Sequence, residues 1–590
     1  MFAVAATFFK INSACAQPGT LDSTFGVNGK VTTSVSGYSG DLALQPDGKI
    51  VATGVEGNVV KIARSQTNGN SDSSFGVNGK VSTAVQVSGN AGYVGATKVK
   101  VQQDGKILLA TDFRLNDGSL TYFVLLRYLS DGNPDSNFGI NGQVSTPISG
   151  LETSLTSLAI QGDGKILAGG FQDGFYLRRY KTNGKVDSSF GNNGAVWYHD
   201  TNDMFGVIID ILPLDNGKII VESTKRYFDN QELNDTVAVE SLLPEGSRDS
   251  SFGIDGLVFT SFNGFFYGSL ALVGKGILVS GDLKGMIGIS KMTKSGTIDS
   301  TFGINGTAMQ IAGRSNKLLI QTNGNIVSVG NILARFTLLG TIDSTFGTNG
   351  KASNFSPATG AGLQIDEKIV TLSDPAFTVY RYKSDPVNVS ILKNISITEG
   401  NTGYTAAKFK ILLNHPTTST VKVNYSTKDG TAQAGSDYVA ASGTVSIKPG
   451  NLSKTVTVNV IGDNTYESNE KFSLVLSNPV NAFLGDLDSA TCTIKNDDPA
   501  SPQQQTNNNT VIAEAAIKLY PNPARDELNV EGLSAINTNL SIVDMQGKEV
   551  IKVTATSQTI TINVKQLSPG VYYLRIVTDE KVTTLKFLKQ

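Results

Sequence analysis

Residues 21–30 read LDSTFGVNGK. Ten positions hold a carboxylate, two hydroxyls and an Asn-Gly pair, a set that suits either a binding site or a turn. Recurrence decides between them. The pattern returns as SDSSFGVNGK from 71, PDSNFGINGQ from 134, VDSSFGNNGA from 186, RDSSFGIDGL from 248, IDSTFGINGT from 298 and IDSTFGTNGK from 342. These seven copies are marked by Phe25, Phe75, Phe138, Phe190, Phe252, Phe302 and Phe346. A second motif alternates with the first, as QPDGKI at 45, QQDGKI at 102, QGDGKI at 161 and LDNGKI at 214, then in degraded form at 273, 321 and 364. A period of roughly 45 to 60 residues is that of a propeller blade. A unique catalytic centre is not expected in seven copies.

Within one unit, GKVTTSV, GDLALQ, GKIVATG and NVVKIARS alternate or run apolar and read as four short antiparallel strands. Seven such units predict a seven-bladed β-propeller. The Asp-Gly pair predicts a two-residue type I′ hairpin. DSTFG is expected to join one blade's outer strand to the next blade's inner strand, its Asp capping backbone N–H groups, its Phe filling the wedge and its Gly at positive φ. Parity places both motifs at one face and the length-variable loops at the other, making the variable face the expected contact surface. The loops of the fourth unit hold the chain's one tryptophan. There Trp197, Tyr198, Asp200, Arg226, Tyr227 and Asp229 form a candidate ligand platform for a carbohydrate or peptide; the competing reading is that they pack the longer loops. The two motifs together resemble the delta-60 repeat over residues 20–384, a resemblance that implies propeller-like architecture and no particular activity.

Past residue 384 seven strand candidates follow at the spacing of an immunoglobulin-like sandwich. Acids gather where odd-numbered strands end: Glu399, Asp429, Asp437, Asp463, Glu467, Glu470, Asp497 and Asp498. Carboxylates crowded at one pole repel unless a cation sits among them, and oxygen-only ligands select Ca²⁺ before Zn²⁺. The stretch from ITEGNTGYTAAKFKILL to IKNDD resembles a Calx-beta domain. That resemblance implies calcium as cofactor, held by Glu399, Asp437, Asp463, Glu467, Glu470, Asp497 and Asp498 with the carbonyl of Thr465. Asp429, in DGTA, reads as turn chemistry. Gly462 and Asn496 stand where better-equipped members carry acids, which implies fewer ions or weaker binding.

Residues 500–515 are polar, low in complexity and read as a linker. The final segment, 516–590, carries Tyr520-Pro521-Asn522-Pro523, the run from Gly570 to Arg575, and the basic finish at Lys586 and Lys589. It is similar to the C-terminal sorting domain of the type IX secretion system, which implies a small β-sandwich, that machinery as partner and an exported destination. At the other end, Ala14-Cys15-Ala16 gives a signal-peptidase pattern, so residues 1–16 read as a signal peptide whose basic residue, Lys10, follows its apolar run. The apolar run is too short to span a bilayer. Beyond Cys15 the chain holds only Cys492, so no intrachain disulfide is expected.

A formal charge of −2 with no basic stripe argues against nucleic acid. The two histidines, His199 and His415, lie in different modules without a nucleophile elbow or metal motif, and no enzyme is expected. The sequence thus predicts an all-β protein in four parts: propeller 17–384, calcium-binding sandwich 385–499, linker 500–515 and sorting domain 516–590. The expected role is binding or adhesion at the cell surface or outside it. A carbohydrate-active enzyme using carboxylates on the variable face and a structural spacer of a surface layer are the alternatives.

Overall fold

The structure is a computed structural model that describes residues 17–499 and 517–590, apart from 34, 88, 149–152, 173, 199–204, 230–231, 263–266, 375–376, 534–537, 545–547 and 578–581. The expected signal segment 1–16 and linker 500–515 lie outside the described residues. Regular structure among the described residues is entirely β, in two compact units, 1–497 and 498–590.

Between Lys30 and Tyr382 the described strands form seven sheets. The first orders Tyr38–Leu44, Ile50–Glu56, Val59–Ser65 and Lys80–Ala84. The innermost strand of each sheet faces its counterparts on either side, and the series closes where Gly360–Leu363 returns to Tyr38–Leu44. The ring is completed by strand pairing out of chain order. Lys30–Thr32, from the start of the chain, pairs antiparallel with Thr378–Tyr382 and is the outermost strand of the last sheet. This is the closure of a β-propeller by its own N-terminus.

Two sequence readings are corrected here. The DSTFG motif does not join neighbouring blades: in the first sheet it lies between Val59–Ser65 and Lys80–Ala84, third and outermost strands of one blade. The sequence repeat is therefore out of phase with the structural one, because the Phe marker follows the third strand. The Asp-Gly turn is also not type I′. Gln45 N–H bonds the Lys49 carbonyl at 2.9 Å and Gly48 N–H the Gln45 carbonyl at 2.8 Å, and at this turn only Gly48 has positive φ, +81°. That is a three-residue loop ending in a left-handed residue.

The motif's chemistry is a staple. Asp22 accepts from Thr24 N–H at 3.2 Å and Thr24 Oγ1 at 2.7 Å, closing its own turn with one oxygen. Its second oxygen takes Arg381 at 2.9 Å and Lys368, the lysine of the second motif, at 3.4 Å. The alternation of the two motifs has this cause: their charges meet. Arg64, Arg127, Arg179, Arg335 and Arg381 each pair with a motif aspartate at 2.7 to 2.9 Å and cover a motif phenylalanine with the guanidinium 4.3 to 4.8 Å from the ring centre. In the fourth blade Ser241 occupies the arginine's place, and Lys218 reaches Asp249 at 2.7 Å instead.

Six of the motif phenylalanines, all but Phe252, in turn lie against a glycine of the following blade. A Cβ on Gly184 would stand 2.9 Å from the Phe138 ring, and its φ is +86°. Gly184→Ala is expected to lose roughly 1–2 kcal/mol from the left-handed backbone alone, plus the clash, read as a lower midpoint of urea unfolding.

One of the fully buried acids lies in the fourth blade without a hydrogen-bond partner. Glu222 lies opposite Asp210 in the strand register, is fully buried, and neither of its carboxylate oxygens has a hydrogen-bond partner. Burial, then the Asp210 charge, push its carboxyl well above the usual range. A raised carboxyl contributes its stability below the unfolded value near 4.5 and loses it as pH rises toward the folded value. Glu222→Gln is expected to leave melting near pH 5 almost unchanged and to raise it progressively through pH 7 and 8.

The chain then enters a two-sheet sandwich. One sheet orders Ser453–Gly462, Gly403–Leu413, Asn388–Ile391 and Phe483–Leu484. The other orders Ile395–Thr398, Ser489–Lys495, Glu470–Val480, Val421–Asp429 and Ser442–Ile447. The opening stretch VNVSILKNISI, read as one strand, splits at Leu392–Asn394 and serves both sheets. Alternate residues, among them Phe409, Phe472 and Tyr438, fill the core, with Tyr438 stacked on Phe472 at 4.1 Å.

The second unit holds a sheet of Lys518–Tyr520, Glu527–Glu531 and Thr559–Asn563, and another of Glu549–Ala555, Thr538–Val543, Gly570–Val577 and Val582–Lys589. The YPNP segment pins the last strand: Asn522 Oδ1 accepts from Leu588 N–H at 2.9 Å and Ala524 N–H donates to the Leu588 carbonyl at 2.8 Å. No helix among the described residues is long and apolar enough to cross a membrane.

Candidate metal centre

Strand ends bring the sandwich acids together. Glu399 follows Ile395–Thr398, Asp497 and Asp498 follow Ser489–Lys495, and these two strands are parallel neighbours. Carboxylate oxygens of Glu399, Asp497 and Asp498 all lie within 4.8 Å of one another. A second group, Asp437, Glu467 and Glu470, meets the same limit. Two oxygens bound to one Ca²⁺ at about 2.4 Å stand at most about 4.8 Å apart, so each triad has the spacing and the hard donors of a calcium site.

The electrostatics agree with that fit. Burial first, then the hydrogen bond and charge of Asp437 and the charges of Glu467 and Glu399, push the Glu470 carboxyl up to about 7. Glu399 and Asp498 are each only 5% exposed. Backbone contacts fix the rest: Asp497 accepts from Gly400 N–H at 3.1 Å and Asp437 from Gln433 N–H at 2.6 Å. Asn496, through its side-chain oxygen, takes Glu467 N–H at 3.1 Å.

Asp463 and Thr465 stand outside both triads. They are exposed, and Thr465 N–H donates to Asp463 Oδ1 at 2.6 Å. Asp429 closes a turn, accepting from Ala434 N–H at 3.0 Å and from the Tyr438 hydroxyl. Gly462 has a steric reason: a Cβ there would sit 2.0 Å from the Gly400 carbonyl oxygen. The local backbone excludes the acid that the resemblance would have placed at this position.

The propeller platform is arranged differently from the sequence reading. Trp197 and Tyr198 sit in the strand Ala195–Tyr198, not in a loop. Trp197 is 49% exposed, its Nε1 donating to the Gln172 carbonyl at 3.0 Å. Tyr198 packs 5.2 Å from Phe175 and beneath Arg248. Arg226, Tyr227 and Asp229 belong to the strand Ile219–Asp229, which runs into a long hairpin with Glu232–Leu242. Asp200 and His199 lie outside the described residues. His415 is buried, with Nε2 2.8 Å from the Asp385 carbonyl.

Propeller, sandwich and tail define a modular all-β protein carrying an export signal at its C-terminal end. Family models match in three places: a Calx-beta domain over 388–498, a secretion system C-terminal sorting domain over 518–590, and a domain of unknown function, DUF5122, described as a β-propeller, over 45–75, 102–138 and 161–190. The sorting domain marks the chain for type IX export toward the cell surface or outside, with the secretion machinery as its partner. Sodium/calcium exchanger 1 of Rattus norvegicus is 40% identical over 101 residues, 14% of this chain and 10% of the exchanger. Sodium/calcium exchanger 3 of Homo sapiens is 46% identical over 59 residues, 10% of this chain and 6% of the exchanger. The chain thus spans a tenth or less of the length of these relatives. Among solved structures, the apo-form Calx CBD1 domain is 27% identical, covers 19% of this chain and 100% of its own, with a TM-score of 0.18. A protein of unknown function from Bacteroides caccae is 13% identical over 52% of this chain and 97% of its own, with a TM-score of 0.29.

Proposed function

We propose that this is an exported calcium-binding surface protein in which the propeller is a binding or adhesion scaffold and calcium stiffens the sandwich. The observation that carries the reading is the pair of carboxylate triads, Glu399/Asp497/Asp498 and Asp437/Glu467/Glu470. Glu470 supports it, since a carboxyl pushed up to about 7 by its neighbours needs either a proton or a cation. Calcium would be held by these six side chains and would supply the positive charge that lets them ionise together.

Affinity in the range of extracellular modules, roughly 10⁻⁴ to 10⁻³ M, suffices outside the cell. At 10 mM calcium that range stabilises the sandwich by about 1.4–2.7 kcal/mol. Thermal melting of the full chain is therefore expected to shift upward with calcium and not with magnesium at the same ionic strength, because Mg²⁺ dehydrates reluctantly. Glu470→Gln combined with Asp498→Asn should abolish the shift. Equal melting with and without calcium would remove the reading. Asp463→Ala tests the ligand position that lies outside the triads: an unchanged shift leaves the triads as the complete side-chain set.

A further inference from the structure

The propeller's central channel carries charge that neither the staples nor the sandwich uses. At its mouth lies a cavity of about 380 Å³, lined by inner-strand residues of five sheets and, from the fifth and seventh, by residues just before the inner strand such as Gly268 and Thr359. Aligned by strand register, one inner-strand position reads Asp41, Lys98, Ser157, Asp210, Ser269, Lys317 and Gly360 around the ring. Lys100, two residues beyond Lys98 on the same strand, faces the same way and lines the same cavity.

The acids and the bases of this ring are placed differently. Asp41 accepts from Leu42 N–H at 2.8 Å and Val99 N–H at 3.3 Å, bridging the first and second blades. Asp210 accepts from Ile211 N–H at 2.9 Å, Leu270 N–H at 3.0 Å, Ser269 Oγ at 3.1 Å and Ser157 Oγ at 3.4 Å, tying the fourth blade to its neighbours. Their oxygens are spent on backbone and hydroxyl donors. Among the described residues no carboxylate forms an ion pair within 4.0 Å of Lys98, Lys100 or Lys317. A third acid stands behind the wall: a Cβ on cavity-lining Gly268 would meet Glu222 Oε1 at 1.9 Å, and both Glu222 oxygens lack partners. Burial pushes the Glu222 carboxyl well above its ordinary range, which disfavours a negative charge there. Three lysines therefore face two hydrogen-bonded aspartates.

We propose that the channel mouth binds a small oxyanion, a carboxylate or a phosphate, against the ammonium groups of Lys100 and Lys317, which line the same cavity. Repulsion by Lys317, then burial, lowers Lys100 to about 8, whereas at Lys317 burial is outweighed by the charges of Asp210 and Asp41, which raise it, so the two cations crowd one site that the aspartates only partly compensate. An oxyanion there would receive charge-assisted hydrogen bonds from both ammonium groups. The volume lies at the lower end of small-molecule sites, which run from about 300 to 1,000 Å³, and so suits a single sugar acid or a small phosphorylated compound rather than a polymer.

The test is calorimetric titration of the full chain at pH 7 and constant ionic strength, with inorganic phosphate in one arm and galacturonate in the other. Saturable heat in the phosphate arm assigns phosphate chemistry, and heat in the galacturonate arm assigns carboxylate chemistry. Lys100→Met and Lys317→Met should each weaken the binding by about tenfold or more, as expected for loss of a charged hydrogen bond, while surface Lys185→Met leaves it unchanged. Circular dichroism checks that each variant is folded. No saturable heat with either anion up to 50 mM (roughly the weak limit of a specific small-anion site), or heat that survives both lysine changes, overturns the proposal.

Discussion

Replacing Arg335 by Ala is expected to cost about 3–5 kcal/mol, the range for a buried ion pair broken from one side. Arg335 is 1% exposed and serves two acids. Its Nε donates to Asp343 at 2.8 Å, as the staple arginines of other blades do to their own aspartates. Elsewhere the guanidinium also reaches a turn carbonyl of the next blade, Arg127 to Thr182 and Arg179 to Pro244. At Arg335 that place is taken by the Asp385 carboxylate, held at 2.9 and 2.8 Å. Asp385 begins the sandwich segment, and its carbonyl meets buried His415. The sixth blade's staple is thereby one joint between propeller and sandwich. Arg335→Ala strands two carboxylates, whereas Arg127→Ala strands only Asp135. Urea unfolding should show the larger loss for Arg335, and the added Asp385→Asn change should recover part of it; equal losses for the two arginines would show that Asp385 adds nothing.

The second large effect concerns closure. A chain lacking residues 1–32 loses the strand Lys30–Thr32, the fully buried Phe25 ring, and Asp22, the partner of Arg381. It also loses the Pro18 carbonyl that accepts Gly347 N–H at 2.7 Å. Burial of a phenylalanine alone is worth about 3–5 kcal/mol when truncated to Ala, and a bare sheet edge invites association. The shortened chain is expected to lose cooperative unfolding of the propeller and to associate, read by calorimetry and light scattering. A monomer with an unchanged transition would mean that the ring is held by its inner strands alone.

Much of this was legible in the sequence because repetition multiplies weak signals. One LDSTFGVNGK is ambiguous, but seven phenylalanines at blade spacing are not. What the motif joins is not legible there, since sequence periodicity has no phase: the same spacing results wherever the cut between units falls. The staple arginines carry no sequence signal, because Arg64 and Arg127 lie in apolar strands rather than in either motif. The channel ring was hidden for a related reason. Asp41, Lys98, Ser157, Asp210, Ser269, Lys317 and Gly360 differ in type, and only strand register shows that they share one position. In the sandwich, strand parity was enough to gather the acids at one pole. It could not divide them into two triads or separate Asp463 from them, because that depends on loop paths that carry no periodicity.

The most direct test of the account is calorimetric titration of the full chain with calcium, beside the Glu470→Gln, Asp498→Asn variant. The account predicts saturable binding with a Kd of roughly 10⁻⁴ to 10⁻³ M or tighter, absent from the variant. No heat up to 10 mM calcium, about ten times the weak end of that range, or identical heats for the two proteins, would contradict it and leave the six carboxylates as a solvated acidic rim.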